Sequence, residues 1–126
     1  SIAGMFGAPL RAVYSTTKAA LHGFAESLAV EVWEKNIQVS MVVPGFVRTN
    51  ISYNSLKGDG TRHEVMDRNQ ARGVAPDICA RQIVEGLKSG KREIYVGLDM
   101  VSKIGLLIKR FFPNLFARIY RRITID

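Results

Sequence analysis

Two short apolar runs, each set beside a helical pattern, constrain the fold of this chain most. Residues 37–43 alternate apolar with mostly polar side chains and stop at Pro44-Gly45, which is typical of a β-strand. Residues 93–96 form a second, shorter run. Strands that alternate with helices predict a parallel α/β sheet. Because parallel strands are normally buried on both faces, we expect further strands upstream of Ser1, and the absence of an initiator Met fits a sequence entered midway.

Helical spacing predicts two helices, at residues 10–35 and 76–88. The first has two apolar stripes, so we expect it to be buried on more than one side and to join copies of the protein into a homo-oligomer. The second opens on Pro76 and closes before Gly90. The stretch between the first strand and this helix, residues 46–73, is long and polar, which is typical of a functional lid or a disordered loop.

The positive charge of the chain is concentrated near its end. The formal net charge is +7, and residues 98–126 contribute six basic and two acidic residues to it. Large apolar and basic side chains mix in this tail, which leaves two alternatives: a basic amphipathic segment on a membrane surface, or an extension that packs on its own domain or on a partner subunit. Nucleic-acid binding is disfavoured, because aromatic residues do not alternate with bases in a stacking platform.

The few cysteines and histidines argue against a disulfide-stabilised protein and against a metal-binding protein. A single cysteine, Cys79, rules out an internal disulfide and predicts a packed thiol in a reducing compartment such as the cytoplasm. Two isolated histidines, His22 and His63, without a nearby cysteine disfavour a metal site. No apolar run approaches the roughly 20 residues that span a bilayer. We therefore expect a cytoplasmic protein, with contact at the periphery of a membrane as the open alternative for the tail.

Tyr14 and Lys18 are the first candidates for chemistry. Residues four apart on a helix share one face, so the phenol and the ammonium address the same site. A nearby cation favours the phenolate, which suits Tyr14 to move a proton near neutral pH. The same pair is also common as a packed ring beside a solvated amine, so the spacing alone does not decide between the two.

The wider pattern resembles the short-chain dehydrogenase/reductase family. The matching stretches are residues 1–4, residues 14–24, Glu31 and residues 42–49. Together with the downstream order of loop, helix, short strand and tail, the resemblance covers nearly the whole chain. Residues 58–62 and 65–67 are similar to the group around dehydrogenase/reductase member 7B and its bacterial relatives.

The resemblance implies a fold, a reaction and a set of site residues. The fold is the C-terminal portion of a Rossmann-like, doubly wound parallel sheet, and the reaction moves a hydride between NAD or NADP and a carbonyl or alcohol. Tyr14 exchanges the proton as general acid and base, Lys18 assists it and binds the nicotinamide ribose, and Ser1 holds the substrate oxygen. The implied cofactor-binding residues are Tyr14, Lys18, Pro44, Gly45, Val47 and Thr49, and the implied lid contacts to substrate are Phe46, Tyr53 and Leu56.

The chain departs from the family's pattern by what it lacks. The glycine-rich phosphate-binding turn, the residue that reads the ribose 2′ position and the catalytic Asn are absent from these residues, so the N-terminal dinucleotide-binding half is missing. We therefore expect the intact protein to be the enzyme and this stretch alone to be inactive. The apolar lid and tail favour an apolar or lipid-like substrate. The alternative is a non-catalytic module that acts through its helix faces and its basic tail.

Overall fold

The computed structural model describes residues 1–122, and the last four residues of the predicted tail lie outside the described residues. The elements, in chain order, are α1 (Ala12–Glu31), β1 (Met41–Pro44), α2 (Arg68–Ala71), α3 (Pro76–Lys88), β2 (Glu93–Val96), α4 (Met100–Phe111) and α5 (Pro113–Tyr120). Two 3-10 turns, Ile2–Gly4 and Trp33–Lys35, flank α1.

The two strands form a parallel pair. Met41 pairs with Glu93 at one end, and Pro44 pairs with Val96 at the other. The connection between them contains α2 and α3, as a parallel crossover requires. The α/β class and the parallel sheet predicted from the sequence are therefore confirmed.

The core is small and lies between the sheet and α3. Val43, Ile94 and Val96 are buried to 3% exposure or less, and Cys79 of α3 packs against the two β2 residues. Helix and strand come unusually close at Gly86, where an added Cβ would lie 2.8 Å from Ile94 side-chain atoms. The predicted burial of the Cys79 thiol is confirmed.

The first helix is shorter than the predicted span of residues 10–35. Leu10 has a φ of 59°, in the left-handed region that a right-handed helix excludes, so α1 begins only at Ala12. At the other end α1 stops at Glu31, and a separate 3-10 turn follows. Asn36 adopts a left-handed conformation with φ of 56°, and it ends the helical segment as its residue type favours.

The first strand is also shorter than predicted, since it begins at Met41 rather than at residue 37. A strand needs a partner for its backbone groups, and β2 starts only opposite Met41. The residues just before Met41 form hydrogen bonds through their side chains instead. Ser40 Oγ donates to the Lys91 carbonyl at 2.8 Å, and Gln38 Nε2 donates to the Leu87 carbonyl at 3.1 Å.

The boundaries of α3 and β2 agree with the prediction from sequence. Pro76 occupies the first turn of α3, and Gly90, with φ of 69°, follows its end. The stretch of residues 46–73 is less irregular than predicted. Its end forms the short helix α2, because the Asp67 side chain accepts from two backbone N–H groups of the first turn, and Leu56 bridges Arg62 within it.

The tail folds into two helices in contact with the start of the chain. Asp99 caps α4 by accepting from the Ser102 N–H at 2.7 Å. Hydrogen bonding with Ser102 also lowers the pKa of the Asp99 carboxyl. On α5, the rings of Phe116 and Tyr120 contact the ring of Phe6, with centroids 5.6 and 5.8 Å away. Within residues 1–122, no helix combines the length and apolarity needed to cross a membrane.

Candidate active site

Tyr14 and Lys18 meet on one face of α1. The Lys18 Nζ lies 5.4 Å from the centroid of the Tyr14 ring, within the range of a cation–π interaction. The Tyr14 side chain is partly exposed, and none of the described residues hydrogen-bonds to its hydroxyl. The phenol is therefore free to reach a molecule in solution while the cation stays beside it.

The 3-10 turn that follows Ser1 packs directly on α1 at Lys18. A Cβ added to Gly4 would lie 2.8 Å from the Lys18 carbonyl carbon and oxygen, so a glycine is needed for this approach. The structure thus brings the Ser1 turn to the helix that carries Tyr14 and Lys18.

The Ser1 hydroxyl caps its own turn. Its oxygen accepts from the Ala3 N–H at 3.2 Å, and this bond fixes where the oxygen lies. Because the hydroxyl acts as an acceptor in that bond, its own proton remains available for donation to another group.

Ser15 is a further site residue, which the sequence analysis missed. It is the one buried residue of α1, and its Oγ accepts from the Ala8 N–H at 3.1 Å. This bond ties the loop after the Ser1 turn to the helix one residue beyond Tyr14. The sequence offered only its position next to Tyr14 as a sign of this role, because a serine within a helix is common and does not by itself indicate a contact.

An open hollow of about 550 Å³ lies at the start of α1, lined by residues 10–14. Tyr14 forms part of its wall. The hollow is shallow and open to solvent, and it lies next to the phenol.

The predicted cofactor-binding residues form a second group, at the carboxyl end of β1. Val47 makes a parallel bridge with Val74, in which the N–H groups of Arg48 and Val74 are the donors. The N–H of Val47 takes no part in this bridge. The chain also passes close to β2 here, since a Cβ on Gly45 would collide with the Gly97 carbonyl. Pro44 is the last residue of the strand, and it cannot donate a hydrogen bond.

Gln70 of α2 holds this second group in place, and the sequence analysis missed it. Its Nε2 donates to the Val47 carbonyl and to the Thr49 Oγ1, the latter at 3.1 Å. The Thr49 hydroxyl thus accepts one bond and keeps its proton for another partner. Gln70 lies in a polar stretch without periodicity, more than twenty positions from both partners, so no sequence signal pointed to it.

The three predicted lid residues are partly exposed. Phe46, Tyr53 and Leu56 have 43%, 43% and 69% of their surface accessible. The lid is tied at its base, because the Ser52 Oγ accepts from the Asp67 N–H at 3.2 Å. The assignment of this segment as a lid stays a prediction.

No hydrogen bond within residues 1–122 joins Tyr14 or Lys18 to the Val47–Thr49 group. The structure therefore brings Tyr14 and Lys18 together on α1, with the turn that follows Ser1 packed on the Lys18 backbone, and it gathers the predicted cofactor-binding residues of β1 and its following loop around Gln70. Across the described part of the chain, no cluster of three or more metal-ligating side chains forms.

Comparison with known proteins gives the family. The model for short chain dehydrogenases matches residues 1–60, which include both groups of site residues. The dehydrogenase/reductase SDR family protein 7-like of Drosophila melanogaster is 39% identical over 116 residues, which is 92% of this chain and 35% of the fly protein. No solved structure gave a significant match. The chain belongs to the short-chain dehydrogenase/reductase family, as the resemblance predicted.

Within that family the chain is similar to the 7-like and 7B proteins. Dehydrogenase/reductase SDR family member 7B of Mus musculus is 33% identical over 119 residues, which is 94% of this chain and 36% of the mouse protein. The member 7B of Danio rerio is 33% identical over 120 residues, with coverage of 94% and 38%. The chain thus spans little more than a third of the length of these relatives.

Proposed function

We propose that the protein containing this segment is an NAD(P)-dependent oxidoreductase that interconverts a carbonyl and an alcohol. Membership of the family supports an oxidoreductase in general terms. The observation that carries the finer proposal is the Lys18 ammonium, 5.4 Å from the Tyr14 ring centroid and beside the packed Ser1 turn. This arrangement supports the proposal, because a proton donor and a cation share one face of α1 and the turn that follows Ser1 packs on the same helix.

The three residues have distinct roles in the proposed reaction. In the reducing direction, Tyr14 gives its phenolic proton to the substrate oxygen as negative charge develops there. The Lys18 cation stabilises the charge that Tyr14 then carries. Ser1, whose oxygen is held by the Ala3 N–H, donates its own proton in a hydrogen bond to the same substrate oxygen. The oxidising direction reverses the proton transfer.

The loop after β1 has the donors that a nicotinamide carboxamide needs. The Val47 N–H lies outside its bridge, and the Thr49 hydroxyl has a proton to donate, so the residues present fit the group. When bound, NAD(P) supplies or accepts the hydride. Gln70 acts as a positioning residue, since it fixes both Val47 and Thr49.

The proposed substrate is an apolar or lipid-like carbonyl or alcohol. The hollow beside Tyr14 is lined in part by the apolar Leu10 and Val13, and the lid adds Tyr53 and Leu56. Apolar walls with a few polar groups are typical of small-molecule sites.

We also propose that α1 joins copies of the protein into a homo-oligomer. Phe24 and Val30 of α1, and Trp33 of the 3-10 turn after it, are exposed by 65–76%, and exposed apolar groups of this size are typical of an interface. Sedimentation of the intact protein should give more than one copy per particle, and Phe24→Ser should dissociate it. A monomer at all concentrations would contradict this part of the proposal.

The experiment that tests the activity uses the intact protein with NADH and with NADPH. A series of aliphatic and aromatic ketones and aldehydes is offered, and consumption of the reduced cofactor is followed by absorbance. Lys18→Met, which keeps the length of the side chain without its charge, should lose about 100-fold in kcat/KM. Lys35→Met, on the 3-10 turn after α1, is the matched control and should keep full activity.

Two results would contradict the proposal. One is no turnover with either cofactor in a protein that melts cooperatively, which would favour a non-catalytic module instead. The other is full activity of Lys18→Met, which would remove the cation from the mechanism. The 126-residue segment by itself should show no turnover.

A further inference from the structure

Helix α4 has an apolar side that faces solvent rather than the core. Along α4, an apolar residue recurs every three or four positions, which places these side chains on one stripe. The stripe consists of Met100, Ile104, Leu107 and Phe111. Leu107 is 59% exposed and Phe111 is 68% exposed, whereas Ser102 and Gly105 on the opposite side are partly covered. An amphipathic helix normally shows the reverse arrangement, with its apolar side inward.

Helix α5 also carries exposed apolar side chains. Leu115 and Ile119 lie one turn apart on α5, and Phe112, directly before the helix, is exposed as well. The other side of α5 is already occupied, because Phe116 and Tyr120 pack against the ring of Phe6. Packing on its own domain, one of the two alternatives for the tail, therefore accounts for one side of α5 and leaves the apolar stripe uncovered within the described residues.

The charges around this surface all have one sign. Residues 100–122 contain six lysines and arginines and no acidic residue. Lys103 and Arg110 follow the stripe of α4 along one edge, as the helical spacing requires, and Arg118 lies on α5 beside Ile119. An occupant of the surface must therefore be apolar at its centre and negatively charged beside it.

We propose that α4 and α5 together form a docking surface for an anionic lipid bilayer. In such a contact the apolar stripe enters the boundary between headgroups and acyl chains, and the flanking cations meet the lipid phosphates and carboxylates. A second copy of this chain fits the surface poorly, because it would bring the cations beside the stripe of one copy against those of the other. The proposal rests on the tail alone and is independent of the proposed reaction.

The docking surface is tied to the candidate active site. The Lys109 ammonium, on the covered side of α4, donates to the Met5 carbonyl, and Phe116 contacts Phe6. Both contacts reach the segment that directly follows the Ser1 turn. Docking of the tail would therefore bring the Ser1 turn to the membrane together with it.

Vesicle flotation of the intact protein tests this proposal. The probes are vesicles of phosphatidylcholine alone and vesicles that also contain phosphatidylserine. The protein should float with the anionic vesicles only, and added salt should release it, since surface charges are screened. Lys103→Glu/Arg110→Glu should lower binding to the anionic vesicles by at least about tenfold. Lys35→Glu/Lys91→Glu, which removes the same charge elsewhere on the surface, should bind like the wild type.

A second pair of variants tests the apolar stripe. Leu107→Ser/Phe111→Ser should also lower vesicle binding by about tenfold or more, while leaving the melting temperature unchanged because both side chains are exposed. A lower melting temperature, without vesicle binding by the wild type, would show that another part of the protein covers the stripe. A concentration-dependent dimer lost in this variant would show that a second copy covers it. Either result, or equal loss in the Lys35→Glu/Lys91→Glu control, would overturn the proposal.

Discussion

The sheet unit, formed by β1, α3 and β2, and the helical side, formed by α1, α4 and α5, use their apolar residues in opposite ways. Within residues 1–122, all four buried hydrophobic residues belong to the sheet unit, with Val43 and Val96 almost without exposure. In the helical side, all of whose elements the structure describes, Ser15 is the one buried residue, and large side chains such as Phe24 are mostly exposed. The sheet unit therefore has its own core, whereas the described residues leave most apolar side chains of the helical side uncovered.

This difference separates stability from chemistry in the chain. Tyr14 and Lys18 lie on the helical side, where a side chain can be changed with little effect on packing. Changes in the sheet unit should act on stability first. The loop after β1 links stability with chemistry. Gln70 donates hydrogen bonds to Val47 and Thr49, two candidate cofactor-binding residues that directly follow a strand of the core.

The largest effect is expected on the helical side, at Tyr14. Tyr14→Phe in the intact protein removes the proton that the reaction needs, and we expect kcat to fall by about 10²–10⁴. The melting temperature should hardly change, because the described residues give the hydroxyl no partner. Steady-state kinetics and calorimetry measure the two effects. Tyr95→Phe on β2, at a side chain that is 40% exposed, is the control, and equal losses in both variants would break the separation of chemistry from stability.

The next effect is expected in the sheet unit, at Val96. Val96→Ala removes two methyl groups from a fully packed site and should destabilise the protein by about 2 kcal/mol. Val101→Ala, at a side chain that is 79% exposed, should cost less than about 0.5 kcal/mol. Denaturant unfolding of both variants compares the two regions directly. A costly Val101→Ala would mean that the helical side is covered in the intact protein.

An intermediate effect is expected at Gln70, between the two regions. Gln70→Ala removes the donor to the Val47 carbonyl and the Thr49 hydroxyl, which leaves both groups less well placed for the cofactor. We expect the cofactor Kd to rise about tenfold, as for the loss of one or two hydrogen bonds. Nicotinamide fluorescence titration measures it. Gln38→Ala, which removes a comparable bond to the Leu87 carbonyl, should leave the Kd unchanged, and a rise there would show a general loss of structure instead.

A smaller effect is expected in the lid. Tyr53→Ala/Leu56→Ala should raise the KM for an apolar substrate about fivefold, or about 1 kcal/mol, because both side chains are exposed until substrate covers them. The melting temperature should shift less than the KM implies. Kinetics with a long and a short aliphatic ketone provide the comparison. A fall in stability with an unchanged KM would contradict the assignment of a lid.

The smallest effect is expected at the cap of α4. Asp99→Ala removes the acceptor for the Ser102 N–H and should cost about 1 kcal/mol or less. Since the folded state lowers the pKa of Asp99, its contribution to stability is complete above the unfolded pKa of about 4 and is lost as the pH falls below it. Unfolding at neutral and acidic pH checks the sign. The wild type and Asp99→Ala should converge in acid, and a constant gap would contradict this account.

The sequence predicts best where structure depends on neighbouring residues. Pro76 and Gly90 mark the ends of α3 by their own backbone preferences, and Tyr14 and Lys18 meet because a helix brings positions four apart together. The predicted start of β1 was wrong, because the true start depends on where β2 begins, some fifty residues later in the chain. Gln70 was missed for the same reason. Its role arises from contacts with distant residues, which no local pattern encodes.

The ring of Phe6 also joins the beginning and the end of the described chain. It contacts Phe116 of α5 in a tilted geometry and Tyr120 edge to face, and it follows Ser1 by only five positions. Truncating the protein before α5 would remove both aromatic contacts of Phe6 and expose its ring to solvent close to Ser1. A change in the packing of α5 should therefore reach the segment around Ser1 through the Phe6 ring, although the two ends of the described chain are more than one hundred residues apart in sequence.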